Sequence, residues 1–288
     1  MKLIELENVS KSFGRYKALD NINLSLDNGE VLGFIGPNGS GKTTTLRIIL
    51  GMLKSKGSAR VFGMDAWKDA VSIHRNLSYV PGDVNLWPNM TGGEVIDLFL
   101  RIKDSREKKY RDDLMEEFEL DPRKKCRTYS KGNRQKVALI AALCSDVDLY
   151  IFDEPTSGLD PLMESIFQKQ VKKLKNQGKS ILLSSHILTE VESLCDSISI
   201  IKYGKIIESG KLNDIKHLNT SNFIIETQKP VIKLLTPVKN ISIIGNRLEL
   251  SVDKENIGLL INELNSYNIK SIESKSQTLE ELFMSHYR

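Results

Sequence analysis

The 288-residue chain contains only three cysteines, Cys126, Cys144 and Cys195, and they lie far apart along the sequence. Their odd number does not suit a framework of disulfides, and their separations do not match the spacing of metal-binding cysteine motifs. Because sparse cysteines of this kind are typical of reducing compartments, the sequence predicts a cytoplasmic setting.

Long apolar runs are scarce as well. The longest is Val137–Cys144, which is far shorter than the roughly 20 residues that a membrane-spanning helix requires. The first residues, Met1–Glu5, show no signal-peptide core. We therefore expect any membrane role to depend on a separate partner protein.

An excess of charge of one sign is also missing, since the formal net charge is only +4. Such a charge does not argue for nucleic acid, and no nucleic-acid partner is expected. The short basic runs Arg123–Lys125 and Lys172–Lys175 are typical of solvated faces, with proximity to anionic lipid as the alternative. At 40% hydrophobic and 27% charged residues, the composition is that of an ordinary globular protein.

The chain does contain a complete GxxxxGK[ST] motif between an apolar strand, Val31–Ile35, and a helix-forming segment, Thr44–Leu50. That context predicts a phosphate-binding loop, in which backbone N–H groups and the positive end of a helix hold a polyphosphate. Lys42 adds a positive charge for the outer phosphates, and the Thr43 hydroxyl can bind Mg²⁺. The predicted nucleotide-binding residues are Gly36, Pro37, Asn38, Gly39, Ser40, Gly41, Lys42, Thr43 and Thr44.

Two acidic residues, Asp153 and Glu154, follow the apolar strand Leu149–Phe152. Ligands of open α/β sheets bind at the carboxyl ends of the strands, so Asp153 suits a Mg²⁺ ligand and Glu154 a base that activates water. His186 follows a second such strand, where an imidazole can contact a γ-phosphate. Solvated acids at a strand end, and a loop histidine without a role, are the plainer alternatives.

The order of patterns predicts an α/β fold: a P-loop NTPase with a parallel-sheet core. Alternating residues near the N-terminus indicate an antiparallel β-subdomain, and charged helical segments indicate an inserted helical subdomain at about 88–145. A shift in composition after 215 marks a small α+β domain, 216–288, whose last helix would open with a capping box of Thr278 and Glu281.

Further motifs make the resemblance to a family specific. Tyr129–Gln135 lies where ATP-binding subunits of ABC transporters carry the signature LSGGQ, and Ser157–Asp160 matches their D-loop. His186 matches their switch histidine. Phe13 lies where the family keeps an aromatic residue that stacks on adenine, although by itself it would suit a core position. The resemblance covers residues 1 to about 215.

That resemblance implies an ATPase that works as a pair. Two nucleotide-binding domains, in a homodimer or heterodimer, would close head to tail around two ATP molecules, with Mg²⁺ bound. Ser130, Gly132 and Asn133 of one protomer would contact ATP on the other, next to Asp160 of the D-loop. Glu154 and His186 would be catalytic. The pair would power a separate transmembrane permease at the cytoplasmic face of the cell membrane, and the C-terminal domain resembles the drug, antibiotic-peptide or sodium exporter branch.

Two departures from the family pattern are visible. The signature has Lys131 in place of a glycine and Asn133 in place of a glutamine, whereas Ser130 and Gly132 are kept. Gly82 follows Tyr79–Pro81 where the family has the Q-loop glutamine, so the coupling role of that amide is in doubt.

Two other functions are compatible with parts of the sequence. The first is an ABC-type ATPase outside transport that acts on ribosomes or DNA. Against it, the chain has one phosphate loop and no sustained heptads. The second is a GTP-dependent switch, for which no guanine-binding NKxD motif is found.

Overall fold

The computed structural model of the protein describes residues 2–103, 108–215, 220–231 and 233–276. The chain divides into two compact units, Met1–Ser209 and Gly210–Arg288. The domain boundary at 215 stays a prediction, and the expected last helix from Thr278 lies outside the described residues. In the described part of the chain, no helix is both long and apolar enough to cross a membrane.

Strands and helices alternate irregularly along the first unit. The strands are β1 (Lys2–Phe13), β2 (Tyr16–Asp27), β3 (Val31–Ile35), β4 (Lys56–Val61), β5 (Met64–Asp65), β6 (Leu77–Val80), β7 (Leu149–Asp153), β8 (Ser180–Ser185), β9 (Ser197–Lys202) and β10 (Lys205–Lys211). The helices are α1 (Lys42–Ile49), α2 (Ala70–Arg75), α3 (Gly92–Ile102), α4 (Lys108–Glu117), α5 (Lys131–Leu143), α6 (Pro161–Asn176) and α7 (Leu188–Leu194).

The N-terminal strands form an antiparallel sheet in the order β2-β1-β4-β5. Apolar residues face each other across it, as in the pairs Leu6 with Leu24 and Ile4 with Val61. These four side chains are buried, because alternate residues of each strand point toward one face. The predicted antiparallel β-subdomain is therefore confirmed.

The second sheet contains the parallel core, with the strand order β10-β9-β3-β8-β7-β6, in which the strands from β9 to β6 pair in parallel. Every residue of β3, β7 and β8 is buried, as expected for strands that are covered on both faces. Since β3 is parallel to β8 and β8 is parallel to β7, their carboxyl ends meet at one edge. This edge holds the candidate site.

Capping side chains fix the starts of three helices. Thr91 and Glu94 form a capping box at the start of α3. Ser130 caps α5 by accepting a hydrogen bond from a backbone N–H, and Asp160 caps α6 in the same way. The helices α3 and α5 pack together, which confirms the helical insertion.

Two short helices, α2 and α7, were not predicted. Neither has a side-chain cap hydrogen bond, although Asp69, a residue type that often caps helices, precedes α2. The helix α7 lies directly on β3: a Cβ atom at Gly33 would lie 2.6 Å from Cγ1 of Val191. A larger residue at position 33 would therefore push this helix away from the sheet.

The second unit is an α+β domain, as predicted. Its strands are β11 (Thr220–Thr227), β12 (Lys239–Ile244), β13 (Arg247–Asp253) and β14 (Ile269–Ser276), in the antiparallel order β12-β13-β11-β14. One helix, α8 (Ile257–Asn265), completes it in the described residues. Leu260 and Leu264 of this helix pack with Phe223, Ile225 and Leu250 of the sheet in a separate core.

Candidate functional site

The phosphate loop connects β3 to α1 at the edge of the parallel sheet. Its first residue, Gly36, cannot be larger, because a Cβ atom there would lie 2.4 Å from the backbone oxygen of Ile201. Gly41 precedes α1 with a φ of 116°, a conformation that favours glycine. The loop therefore brings its backbone N–H groups and the N-terminus of α1 to the mouth of a pocket.

Lys42 lies at the centre of the loop, and its side chain is only 5% exposed. Its Nζ donates hydrogen bonds to the backbone oxygens of Gly36 at 2.5 Å and Pro37 at 3.3 Å. It also forms an ion pair with Oε1 of Glu154 at 3.3 Å. A buried ammonium is thus held beside the place where a phosphate would enter.

A second group of oxygen atoms surrounds Asp153 at the end of β7. Oδ2 of Asp153 accepts a hydrogen bond from Thr43 Oγ1 at 3.3 Å, and Oδ1 accepts one from Ser184 Oγ at 2.9 Å. Burial raises the pKa of Asp153, and the charge of Glu154 adds to this effect, while the two hydroxyl groups oppose it. A hydroxyl and a carboxylate this close together are ligands that Mg²⁺ prefers.

Glu154 adopts a φ of 49°, which is unusual for a residue with a side chain. The turn is held by its backbone N–H, which bonds the Ser184 oxygen at 2.9 Å, and it aims the carboxylate along the sheet edge. Oε2 of Glu154 then lies 2.7 Å from Nδ1 of His186, whose side chain is 58% exposed. The structure therefore brings the two predicted catalytic residues together.

The pocket above the loop encloses about 220 Å³. Its lining residues are Phe13, Tyr16, Ala18, Pro37, Asn38, Gly39, Gly41, Lys42, Thr43, Thr44 and Glu154. Tyr16 was not predicted. It faces Phe13 across the turn between β1 and β2, so both rings lie on one face of the hairpin. Only Gly14 and one further residue separate Phe13 from Tyr16, and this short turn was the sequence signal that could have predicted their pairing.

The signature residues lie elsewhere, at the start of α5. Ser130 Oγ accepts a hydrogen bond from the N–H of Asn133 at 3.2 Å. A Cβ atom at Gly132 would lie 2.5 Å from the backbone oxygen of Gly158, so the signature turn packs tightly on the D-loop. Lys131 reinforces this packing through a contact that was not predicted: its Nζ donates a hydrogen bond to Ser157 Oγ at 2.8 Å.

Among the described residues, Ser130, Gly132, Asn133 and Asp160 are all missing from the lining of the phosphate pocket. Asp160 is occupied as the cap of α6, where it accepts the N–H of Met163 at 3.1 Å. Within one chain the predicted site residues thus form two surfaces, one around the phosphate loop and one around the signature turn.

At the Q-loop position, the surface around the phosphate loop lacks a side chain. Gly82 follows β6, and a Cβ atom there would lie 3.1 Å from the backbone oxygen of Asp153 and 3.8 Å from its Cγ. A side chain at this position would reach the carboxylate of Asp153. The missing amide therefore removes a polar group from the neighbourhood of the predicted Mg²⁺ ligand.

An apolar groove of about 410 Å³ begins next to Gly82, between β6 and the helices α3 and α5. Its lining includes Leu77, Val84, Val95 and Phe99. The exposed ring of Trp87 lies 6.3 Å from that of Phe99, measured between centroids. Lys103 lies at the groove, where its Nζ donates to the Leu77 backbone oxygen at 2.6 Å and burial lowers its pKa.

Comparisons with known proteins point to one family. The family described as ABC transporter matches residues 19–157 of this chain. The uncharacterised ABC transporter ATP-binding protein YhcH of Bacillus subtilis (strain 168) is 30% identical over 290 residues, covering 98% of this chain and 95% of that protein. The bacitracin transport ATP-binding protein BcrA of Bacillus licheniformis is 32% identical, covering 75% of this chain and 72% of that protein.

Solved structures give the same result. The dimeric structure of MJ0796, a bacterial ABC transporter cassette, has a TM-score of 0.67 and 27% identity, covering 73% of this chain and 98% of that one. The same cassette has been solved as a dimer in a post-hydrolysis state bound to ADP and Pi. The similarity thus extends to proteins that are dimeric and that hold nucleotide.

Proposed function

Because this chain belongs to the family of ABC transporter ATP-binding proteins, we propose that its pocket at the phosphate loop is an ATP site. In this site, Glu154 would drive hydrolysis. As a member of that family, the chain is an ATPase subunit that pairs with a second nucleotide-binding domain and powers a separate membrane permease. The main support for the roles of these residues is that Glu154 contacts both Lys42 and His186.

The phosphate loop supplies binding. The triphosphate would lie over the N–H groups between Gly36 and Thr44 and take the place of the backbone oxygens and Glu154 as partner of Lys42. Phe13 and Tyr16 would contact the base at the other end of the pocket. Thr43 and Asp153 would hold Mg²⁺, which neutralises phosphate charge when it is bound, and its remaining ligands would be phosphate oxygens and water.

Hydrolysis requires a base on the far side of the γ-phosphate from the leaving group. We assign this role to Glu154, which would accept a proton from the attacking water. His186 holds the carboxylate through the 2.7 Å contact, and its exposed ring can also reach the γ-phosphate. Lys42, released from Glu154 to the phosphates, would supply a fixed cation for the charge that develops during the reaction.

The surface around the signature turn completes the site of a second copy. Ser130, Gly132 and Asn133 present the N-terminus of α5, which favours an anion such as the γ-phosphate bound by the other protomer. Asp160 would lie beside this contact. ATP binding then favours the closed pair, and hydrolysis releases it, so the nucleotide biases a two-state equilibrium.

The apolar groove would receive a cytoplasmic segment of the permease, with the Trp87 and Phe99 rings at its rim. The subunit would then lie at the cytoplasmic face of the cell membrane, held there by its partner. The similarity to BcrA supports an exporter of the drug, antibiotic-peptide or sodium branch.

Nucleotide binding by Lys42→Met tests the ATP site. We expect this variant to lose Mg·ATP binding in isothermal titration calorimetry, whereas Lys68→Met, which changes an exposed lysine outside the pocket, binds as the wild type does. Equal affinities for all three proteins would contradict the proposal.

Membrane association tests the groove. In the native host, Trp87→Asp is expected to release the subunit from salt-washed membranes. Trp67→Asp should not, because Trp67 is similarly exposed, at 47% against 51%, but lines a separate pocket, whereas Trp87 lies beside Phe99 of the groove. Retention of both variants would contradict docking at this surface.

For the exporter assignment, deletion of the gene should raise sensitivity to a peptide antibiotic or to sodium, and Lys42→Met should fail to restore resistance.

A further inference from the structure

A buried carboxyl group lies directly behind the pair of Glu154 and His186 and has no part in the mechanism above. Glu190, in the first turn of α7, is 2% exposed. Its Oε2 accepts a hydrogen bond from Ser185 Oγ at 2.7 Å. Its Oε1 has no hydrogen-bond partner of good geometry among the described residues. Buried polar atoms without partners are rare and cost stability, so packing alone does not explain an acidic residue here.

The Ser185 hydroxyl connects Glu190 to the turn that carries His186. Besides donating to Glu190, Ser185 Oγ accepts the backbone N–H of Ile187 at 3.0 Å. The Ser185 hydroxyl therefore links the residues immediately before and after His186. The carboxyl group therefore fixes the backbone from which the imidazole projects.

The same carboxyl group also reaches the loop that follows Glu154. Burial raises the pKa of Glu190, whereas the side chains of Ser185 and of Thr156, which lies in that loop, lower it. Thr156 is itself buried. Glu190 thus lies between the loops that carry Glu154 and His186, which are joined at their base by the bond between the Glu154 N–H and the Ser184 oxygen.

We propose that Glu190 is a positioning residue for ATP hydrolysis, which acts through Ser185 to hold His186 against Glu154. This inference rests on the proposed function, because it assigns a purpose to the 2.7 Å contact between these two side chains. Without the bond from Glu190, the turn at Ser185 loses its anchor and His186 moves away from the carboxylate. Misplacing a catalytic group by about 1 Å can reduce the rate about 100-fold.

Kinetics of three variants test the proposal. We expect Ser185→Ala and Glu190→Leu to reduce kcat about 10- to 100-fold, with the Kd for Mg·ATP unchanged, because neither touches the phosphate loop. Glu190→Gln keeps an oxygen that accepts the Ser185 bond, so kcat should stay within about threefold of wild type. A matched control is Tyr150→Phe, which removes a buried hydroxyl that bonds the Ser145 backbone oxygen and should lower the Tm without changing kcat.

A double-mutant cycle with His186→Ala separates positioning from general stability. If Glu190 acts through His186, Glu190→Leu or Ser185→Ala should lower kcat little or not at all in the His186→Ala background. Additive losses, a changed Kd for Mg·ATP, or a loss of kcat in Glu190→Gln equal to that in Glu190→Leu would overturn the proposal. Should Glu190→Leu fail to fold, the cycle with Ser185→Ala decides the question.

The role of Glu154 and the positioning of His186 can be tested separately. If Glu154→Gln hydrolyses ATP at the wild-type rate, the proposed function fails. If Glu154→Gln is inactive while Ser185→Ala and Glu190→Leu are as fast as wild type, only the positioning of His186 by Glu190 fails.

Discussion

Replacing Glu154 by glutamine changes one atom at the centre of the candidate site. The amide keeps the shape of the side chain and can still interact with His186, which lies 2.7 Å from Oε2. It removes the negative charge that lies 3.3 Å from Lys42 Nζ. The substitution therefore removes the base with little change to the surrounding packing.

The structure sets the size of the expected effect. Loss of a positioned general base costs about 10²- to 10⁴-fold in rate, which raises the activation barrier by about 3–5 kcal/mol. Lys42 keeps its bonds to the Gly36 and Pro37 oxygens, so the loop should stay folded. Since the competing charge near Lys42 is gone, Mg·ATP should bind at least as tightly as it does to the wild type.

A phosphate-release assay at saturating Mg·ATP measures the turnover, and calorimetry measures the affinity. The control is Glu116→Gln, an exposed carboxylate on α4, which should match the wild type in both. Turnover by Glu154→Gln within a factor of three of wild type would refute the assignment of the base. Loss of nucleotide binding together with turnover would show that the carboxylate holds the loop rather than the water.

The remaining predictions concern the base contact, the signature turn and the buried acid. Tyr16→Ala should weaken the free energy of ATP binding by about 1–3 kcal/mol through lost stacking, whereas Trp67→Ala should leave it unchanged, as measured by calorimetry. Gly132→Ala should cost about 1–3 kcal/mol in urea unfolding, because its Cβ would lie 2.5 Å from a backbone oxygen, whereas Gly258→Ala in α8 has open space and should not destabilise. Burial raises the pKa of Glu190 in the folded chain above its ordinary value of 4.5, so the stability present below pH 4.5 is lost as the pH rises through the folded-state pKa. The stability of Glu190→Gln relative to wild type, measured by urea unfolding, should therefore increase between pH 4.5 and pH 8; a constant difference would contradict this.

Local patterns explain why much of the site was predictable. The phosphate loop is continuous in sequence, and its strand and helix lie on either side of it. Asp153 and Glu154 follow a buried strand, so parallel pairing alone brings them to the loop. The caps at Thr91 and Asp160 are likewise decided by residues within one turn of helix.

Contacts between distant segments explain what was missed. Tyr16 is the exception, because it pairs with Phe13 across a turn of only two residues. The bond from Lys131 to Ser157 joins residues that are 26 positions apart, and no periodic pattern marks it. The short helices α2 and α7 are held by packing, since neither has a side-chain cap.

The most direct test of the account is the mass of Glu154→Gln in solution with and without Mg·ATP, measured by sedimentation or light scattering. We predict the mass of one chain without nucleotide or with ADP and the mass of two chains with millimolar Mg·ATP. Ser130→Arg, placed in the same background, should remain a single chain. A Glu154→Gln protein that binds Mg·ATP and still sediments as one chain would contradict the proposal that the signature turn of one copy completes the nucleotide site of another.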